Sequence, residues 1–278
     1  MINYTEHLTT LMRDIVARVP TLSFIDMRDV LVFARFGRAG SEGAFATCHC
    51  LNLPAAEPGY FFWRDRETGE MTRRSEWFVT KSPVVMLDSE AQIKYLLSFT
   101  LPRFCDQSLT RSRKERFYRR ATDGWVAKLD TVIHELYHID PAHQGIRRME
   151  NGDGSVCASG HHGGDFFTHV ATMVSEYLDS KPDPEVYDFL RHDFEALDAR
   201  HGGVSGTTFR PFPSYPQRFM ERLAEQLPCD PKWAHVPVEP WRERQPRTHY
   251  TSADLQTRQF TRTTSRAISA KRSKEAAA

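Results

Sequence analysis

The chain has 278 residues, of which 40% are hydrophobic and 26% are charged, and its formal net charge is +1. This balance predicts no strong electrostatic field over the whole molecule, and no run approaches the roughly 20 apolar residues of a membrane span. The first 20 residues place Glu6 and Asp14 among apolar residues at helical spacing. This pattern predicts an amphipathic helix instead of a signal peptide, and therefore a cytoplasmic protein without a membrane partner.

Strand patterns follow the first helix. The segments DVLVFARFG (29–37) and AFATCHCLNL (44–53) flank a Gly-containing connection and are expected to pair as a hairpin. A second pair is expected around the turn at 67–70, and SPVVMLD adds a short strand. The five cysteines are irregularly spaced, which argues against disulfides and predicts reduced thiols. We interpret CHC (48–50) as part of a strand, with both thiols on one face, and not as a metal knuckle.

Helical spacing dominates the next part of the chain. SEAQIKYLLSFTL (89–101) predicts a helix with Ser89 as its N-cap. Further helices are expected from Asp123 to the stop at Pro141, over about 163–178, and over 184–200. The last of these begins at Pro184 and ends before two glycines, and a Pro-rich turn then leads into a final short helix.

Strands followed by helices predict an α+β fold, with an N-terminal helix, a small mixed β-sheet and further helices towards the C-terminus. We expect one domain over residues 1–245, sheet-rich over 20–88 and helical over 89–230. Beyond about residue 245 the apolar periodicity fades into Arg, Lys, Thr, Ser and Ala. This composition predicts a basic, disordered tail over 246–278.

The motif HELYHID (134–140) carries the main chemical prediction. His134 and His138 are four residues apart, so a helix places both imidazoles on one face, where they can bind one Zn²⁺ at about 2.1 Å. Glu135, beside the first ligand, is suited to act as general base towards a zinc-bound water. The alternative is a pair of surface histidines on an amphipathic helix. That alternative would leave Glu135 charged among apolar neighbours for no purpose.

A catalytic zinc needs a third protein ligand. Pro141 and Gln144 stand where the short metzincin motif requires glycine and a ligand, so that closure is excluded, and His143 is expected to be a solvated loop residue. Residues 162 and 169 would lie about 10.5 Å apart along a helix axis and cannot both bind one zinc. The downstream candidates are His161, His162, Asp165, His169 and Glu176.

A family resemblance enters at these residues. HELYHI, a Gly-rich loop and HGGDF (162–166) resemble the HExxH and HGxxF arrangement of SprT-like zinc metallopeptidases. Similar arrangements occur in zincin-type metallopeptidases of bacteria and phages. The resemblance covers roughly residues 120–180. This sequence does not contain the C-terminal four-cysteine zinc ribbon of SprT proteins. It implies a zincin-like fold, His134, His138 and His162 as zinc ligands, Glu135 as the base and Phe166 as a core anchor.

Two alternatives to His162 as the third ligand stay open, His169 and Glu176. A ligand at Glu176 would make the chain similar to gluzincins. If His169 is not a ligand, we expect it to be a core histidine or one that supports a ligand. For the oxyanion of the reaction, Tyr215, His201 and Arg210 are candidate donors, while Tyr137 points about 100° away from His138 and is not assigned.

The expected activity is zinc-dependent hydrolysis of peptide bonds by a metalloendopeptidase. A polypeptide substrate would bind along one strand of the 29–53 pair. One alternative is a nucleic-acid-associated protease acting on protein–DNA complexes, because RSRKERFYRR (111–120) and the tail are basic. Because the net charge is only +1, we favour over this alternative the interpretation that 111–120 is a solvated helix face and that the tail is disordered. The other alternative is a non-catalytic, zinc-stabilised binding module, which would not need Glu135.

Overall fold

The computed structural model describes residues 1–37, 43–51, 61–65, 67–75, 84–87, 92–110, 112–118, 122–143, 145–147, 162, 165–210, 230–238 and 249–262. Over these residues the helices are α1 Tyr4–Arg18, α2 Val126–Tyr137, α3 Phe166–Asp179, α4 Pro184–Tyr187 and α5 Phe194–His201. The strands are β1 Ile2–Asn3, β2 Val30–Phe36, β3 Ala46–Cys50, β4 Phe61–Arg64, β5 Met71–Ser75, β6 Val84–Met86, β7 Tyr95–Leu101, β8 Val204–Phe209, β9 His249–Thr251 and β10 Leu255–Phe260. The fold is α+β, as predicted.

The strands form four small sheets within the described residues. In the sheet β2-β7-β3, β7 pairs in parallel with β2 and antiparallel with β3. In the sheet β1-β8-β10, β8 pairs in parallel with β1 and antiparallel with β10. The antiparallel pair β4–β5 confirms the predicted turn at 67–70, and β6 is the predicted short strand, paired with β9.

Strand β7 corrects two predictions. The helix predicted over 89–101 is wrong, because residues 95–101 form a strand (Ser89 lies outside the described residues). The predicted hairpin is also wrong, because β7 lies between β2 and β3. All residues of β7 are buried, since it has a strand on each side and an apolar layer on each face. Such a strand loses the alternation of a half-exposed strand and resembles a buried helix in sequence.

Two apolar clusters cover opposite faces of the sheet β2-β7-β3. Along β2, Val30, Val32 and Ala34 join the larger cluster, while Leu31 and Phe33 join the smaller one. The larger cluster includes the apolar face of α1, which confirms the predicted amphipathic helix, together with apolar residues of α2 and α3. Helix α2 packs against both α3 and β3. This packing places the HELYHID helix beside the strand at one edge of the sheet.

The C-terminal helical region differs from its prediction. The single helix expected over 184–200 is divided into α4 and α5 by a 3-10 turn. Asp193 begins α5, because its side chain accepts a hydrogen bond from the backbone N–H of Ala196. Gly202 ends α5 in the left-handed conformation (φ 66°), as predicted from the glycine pair. The final short helix was predicted within 209–227, and residues 211–229 lie outside the described part.

Residues 249–262 form strands β9 and β10, so the disordered tail predicted from residue 246 is wrong over this stretch. Six residue pairs join β10 to β8, although only Phe260 of β10 is buried. Backbone pairing, which leaves little trace in the side-chain pattern, therefore holds this strand in place. The helical region predicted over 89–230 is likewise interrupted by β7 and β8. Residues 263–278 lie outside the described part.

None of the described helices is both long and apolar enough to cross a membrane.

Candidate metal centre

Three histidines converge at the end of α2. His134 lies in its last turn, His138 is its C-cap residue, and His162 precedes the first residue of α3 by four positions. The Nε2 atom of His134 is 3.1 Å from that of His138 and 3.0 Å from that of His162, and the remaining pair is 3.1 Å apart. They are the one group among the described residues whose donor atoms are close enough to hold a metal ion.

The geometry of these nitrogens fits a shared cation. A nitrogen that donates its proton no longer accepts one, so three imidazole nitrogens in mutual contact cannot all be satisfied by hydrogen bonds to each other. Two metal–nitrogen bonds of about 2.1 Å at a tetrahedral angle would separate their nitrogens by about 3.4 Å. The observed triangle is slightly tighter than that. Imidazole donors suit zinc, copper, iron and nickel, so the residues define a transition-metal site without choosing the metal.

The ring of Phe166 supports all three histidines. It is fully buried, as expected of a core anchor, and its centroid is 4.9 Å from the ring centroids of His134, His138 and His162. Because Phe166 is the first residue of α3 and the histidines belong to α2 and the preceding segment, one apolar side chain fixes both parts of the site. The three rings are thereby held in position by protein contacts.

Burial keeps His134 in the form that binds metals. The pKa of His134 is well below its usual value, mainly because burial disfavours the charged imidazolium, and His138, Lys114 and His162 add to this effect. A neutral imidazole offers a lone pair to a cation, whereas a protonated one does not.

Glu135 is the acid–base candidate of the site. Its side chain is buried, and burial raises its pKa to about 7. A hydrogen bond from the backbone N–H of Cys48 and the charges of Lys114 and Arg35 act in the opposite direction. A cation held by the neighbouring histidines would also favour the charged carboxylate. The hydrogen bond from Cys48 joins Glu135 to β3.

The other candidate ligands lie apart from this cluster. The Nδ1 atom of His169 is 3.0 Å from the hydroxyl of Tyr137, and its side chain is exposed. Glu176 and Asp165 are exposed as well. His143 adopts a positive φ of 55° in the loop after α2. It is half-buried, with its ring 6.1 Å from that of Phe24, so the prediction of a solvated residue is wrong. His161 lies outside the described residues.

The candidate oxyanion donors receive no support from the described residues. His201 ends α5, where it lines a cavity with His7 and His192, and Arg210 is exposed directly after β8. Neither belongs to the histidine cluster. Tyr215 lies outside the described part. Tyr137 is not assigned as an oxyanion donor because of its direction, and its hydroxyl is hydrogen-bonded with His169.

A buried polar network was missed from the sequence. The Nζ atom of Lys114 is 2.6 Å from a carboxylate oxygen of Asp130 and donates to the hydroxyl of Thr131 at 2.5 Å. The hydroxyl of Tyr118 donates to the other oxygen of Asp130 at 2.6 Å. Asp130 and Thr131 precede His134 and Glu135 by one helical turn. Lys114 belongs to the basic segment 111–120, whose charge suggested a solvated surface.

The chain after α2 is tied back onto the helix end. The backbone N–H of Arg147 donates to the carbonyl of His138 at 2.8 Å, and its Nε donates to the carbonyl of Tyr137 at 2.7 Å. The hydroxyl of Tyr95, from β7, donates to the carbonyl of Gly145 at 2.9 Å. The two bonds from Arg147 satisfy carbonyl groups that the end of α2 leaves unpaired, and the bond from Tyr95 ties the following loop to β7.

Comparison with known proteins gives no relative: no protein-family model, no curated protein and no solved structure matches this chain. Its function therefore has to be inferred from the chemistry of the site.

Proposed function

We propose that this protein is a metal-dependent peptidase of the zincin type, similar to the SprT-like metallopeptidases, which hydrolyses peptide bonds. The observation that supports this most directly is the convergence of three Nε2 atoms next to a buried glutamate. His134, His138 and His162 would hold the cation, for which we propose zinc. When bound, zinc supplies a Lewis acid and lowers the pKa of a water molecule towards 7.

Glu135 moves the proton in this proposal. The buried carboxylate of Glu135 can accept a proton from the attacking water and later donate it to the leaving amine. The backbone N–H of Cys48 donates to this carboxylate and holds it in one orientation. Because the site has a built-in acid–base group, it is better suited to hydrolysis than to a purely structural metal.

Strand β3 is the proposed platform for the polypeptide. It lies at an edge of the sheet β2-β7-β3 in the described part of the chain, whereas β2 also contacts β8. The carbonyl of Phe45 accepts a hydrogen bond from Thr100 of β7, and the N–H of Leu51 donates to the carbonyl of Lys94, just before β7. By the alternation of a strand, the backbone groups of Ala46, Cys48 and Cys50 point outwards. The outward groups of Ala46 and Cys50 and the carbonyl of Cys48 could pair with an extended polypeptide, whereas the N–H of Cys48 is bonded to Glu135.

The first experiment measures metal binding. We expect the purified protein to bind one equivalent of zinc, and H162A to bind it at least 100-fold more weakly, because one of three ligands is lost. H169A is the matched control: it removes a histidine on the neighbouring helix α3 that contacts Tyr137 and not the cluster. Zinc affinity unchanged in H162A, or lost equally in H169A, would contradict the proposed ligand set.

The second experiment separates an enzyme from a metal-stabilised binding module. E135Q keeps the shape of the side chain but cannot take up the proton. We expect it to retain zinc and to lose about 100- to 10,000-fold in the rate of hydrolysis of an unfolded protein such as casein. Hydrolysis at the wild-type rate in E135Q would refute the mechanism. An inactive wild-type protein with bound zinc would favour the binding module.

The segment RSRKERFYRR gives less support to the nucleic-acid alternative than its composition suggests. Lys114 is largely buried and paired with Asp130, so its charge is not available to a phosphate. Arg116 is exposed, but its guanidinium lies over the ring of Phe117, which contacts Phe167 of α3. Lys114 and Arg116 therefore both have a place in the packing around α2 and Phe117.

A further inference from the structure

A row of stacked side chains runs outwards from His162. The ring of Phe167 lies 5.4 Å from that of His162 at an interplanar angle of 27°. The ring of Phe117 lies 6.3 Å from that of Phe167 at 23°, and the guanidinium carbon of Arg116 is 4.6 Å from the centre of Phe117. Phe167 and Phe117 are half-buried, and Arg116 is exposed. The candidate metal centre therefore has an aromatic wall that ends in a cation.

This wall is fixed in place by the polar network described above. Phe117 closes a 3-10 turn, Arg113–Phe117, that has an anchored residue on each side of the aromatic ring. Lys114 binds Asp130 and Thr131 of α2, and Tyr118 binds the same aspartate. Because both anchors reach α2, the turn cannot move away from the histidines without breaking a buried ion pair. A wall with this support is preorganised to contact a substrate.

The wall has a distinct chemistry. The faces of the Phe167 and Phe117 rings are covered by their neighbours in the row, so their half-exposed edges are the part that can meet the face of another aromatic ring. An exposed guanidinium favours a carboxylate. A polypeptide lying along β3 and past Glu135 would bring the residues that flank its reacting bond close to His162 and its stacked neighbours.

We propose that Phe117 and Phe167 form a specificity subsite for an aromatic side chain next to the cleaved peptide bond, and that Arg116 selects an acidic residue beyond it. The preferred substrates are then polypeptides that contain an aromatic residue followed or preceded by an acidic one. This inference rests on the proposed peptidase function and adds the substrate class.

Peptide cleavage measures this preference directly. The wild-type protein with zinc is incubated with a peptide mixture, and the cleaved bonds are identified by mass spectrometry. Matched peptides carrying Phe or Ala at the enriched position then give the ratio of kcat/KM values. We expect enrichment of aromatic residues at one position flanking the cut, and a Phe-to-Ala ratio that falls about fivefold to tenfold in F117A. R116E should reverse the preference between Asp and Lys at the next position.

Two matched variants serve as controls. F36A removes an exposed phenylalanine that stacks on Phe260 instead of Phe167. R191E reverses a partly exposed arginine that lies over the ring of Trp125, at the start of α2. Both should leave the two preferences unchanged. Zinc content and thermal unfolding are measured for every variant. If F117A loses zinc, the preference of R116E between Asp and Lys tests the subsite, because Arg116 is exposed and its replacement should not disturb the fold.

The outcomes distinguish the two proposals. Cleavage with no aromatic enrichment, or with a ratio that F117A and R116E leave unchanged, overturns the subsite and leaves the peptidase intact. If wild-type protein with bound zinc cleaves no peptide, both are overturned. A purely supporting role of the stack under His162 would appear as weaker zinc binding in F117A with the same cleavage preference, which also overturns the subsite.

Discussion

Replacing Lys114 with methionine isolates the buried ion pair that lies one helical turn before the histidine cluster. The Nζ atom of Lys114 is 2.6 Å from Asp130, and the side chains are 16% and 3% exposed. Methionine keeps most of the length and removes the charge, so the carboxylate stays buried with Tyr118 as its neighbouring donor. Removing one partner of a buried pair costs about 3–5 kcal/mol of unfolding free energy.

We therefore expect K114M to lose about 3–5 kcal/mol of unfolding free energy at pH 7, because it leaves the Asp130 carboxylate buried without its cation.

Urea unfolding with a chelator present, so that bound metal does not add to stability, measures this loss. The double variant K114M/D130N should regain at least half of the loss, because no charge remains buried. K94M is the matched control: the Nζ atom of Lys94 is also 2.6 Å from Asp29, but the side chains are 37% and 15% exposed. It should lose less than about 1 kcal/mol. An equally small loss in K114M would refute this reasoning.

Three further predictions concern other parts of the fold. Burial lowers the pKa of His49 to about 4. Protonation then favours the unfolded chain, so stability present above pH 6.5 falls by about 3 kcal/mol as the pH drops from 6.5 through 4, and urea unfolding of H49V should show a flatter acid limb. G202A places a side chain at a φ of 66° with open space around it, so strain alone should cost about 1 kcal/mol in the same assay. F166L removes the ring that contacts all three histidines and should weaken zinc binding about tenfold in competition with a chelating dye, while unchanged affinity would exclude this supporting role.

Local patterns predicted the elements whose burial is one-sided. Helix α1 has one apolar face, and α2 combines helical spacing with the HELYHID motif, so both were found within a few residues of their ends. Gly202 was expected to close a helix and does so, since its conformation depends mainly on its own backbone. These features are determined by residues close together in the chain.

Long-range pairing explains the failures. Strand β7 was mistaken for a helix because partners on both sides and cover on both faces bury every residue. Strand β10 was missed because its sequence, LQTRQF, has little apolar pattern, and its stability comes from pairing with β8. Neither the partner nor the burial of such a strand is encoded within the strand itself.

The residues of the candidate site also fall into those that local sequence predicts and those that depend on distant contacts. The pair His134 and His138 followed from helical geometry, whereas spacing alone left several residues open as the third member. The family resemblance favoured His162, and the structure brings it, and not His169 or Glu176, next to the pair. Lys114 could not be found from its surroundings in sequence, because a basic segment is usually solvated and its acidic partner is 16 residues away.

The position of β8 has a consequence for the order of folding. This strand pairs with residues 2–3 on one side and with residues 255–260 on the other, so its sheet joins segments separated by some 200 residues of chain. Closing such large loops before any contact is gained slows the search for the native state. During synthesis, β8 emerges from the ribosome well before β10 and keeps one edge unpaired until β10 follows. A form truncated at residue 245 would leave that edge permanently open to another chain, and we expect it to aggregate.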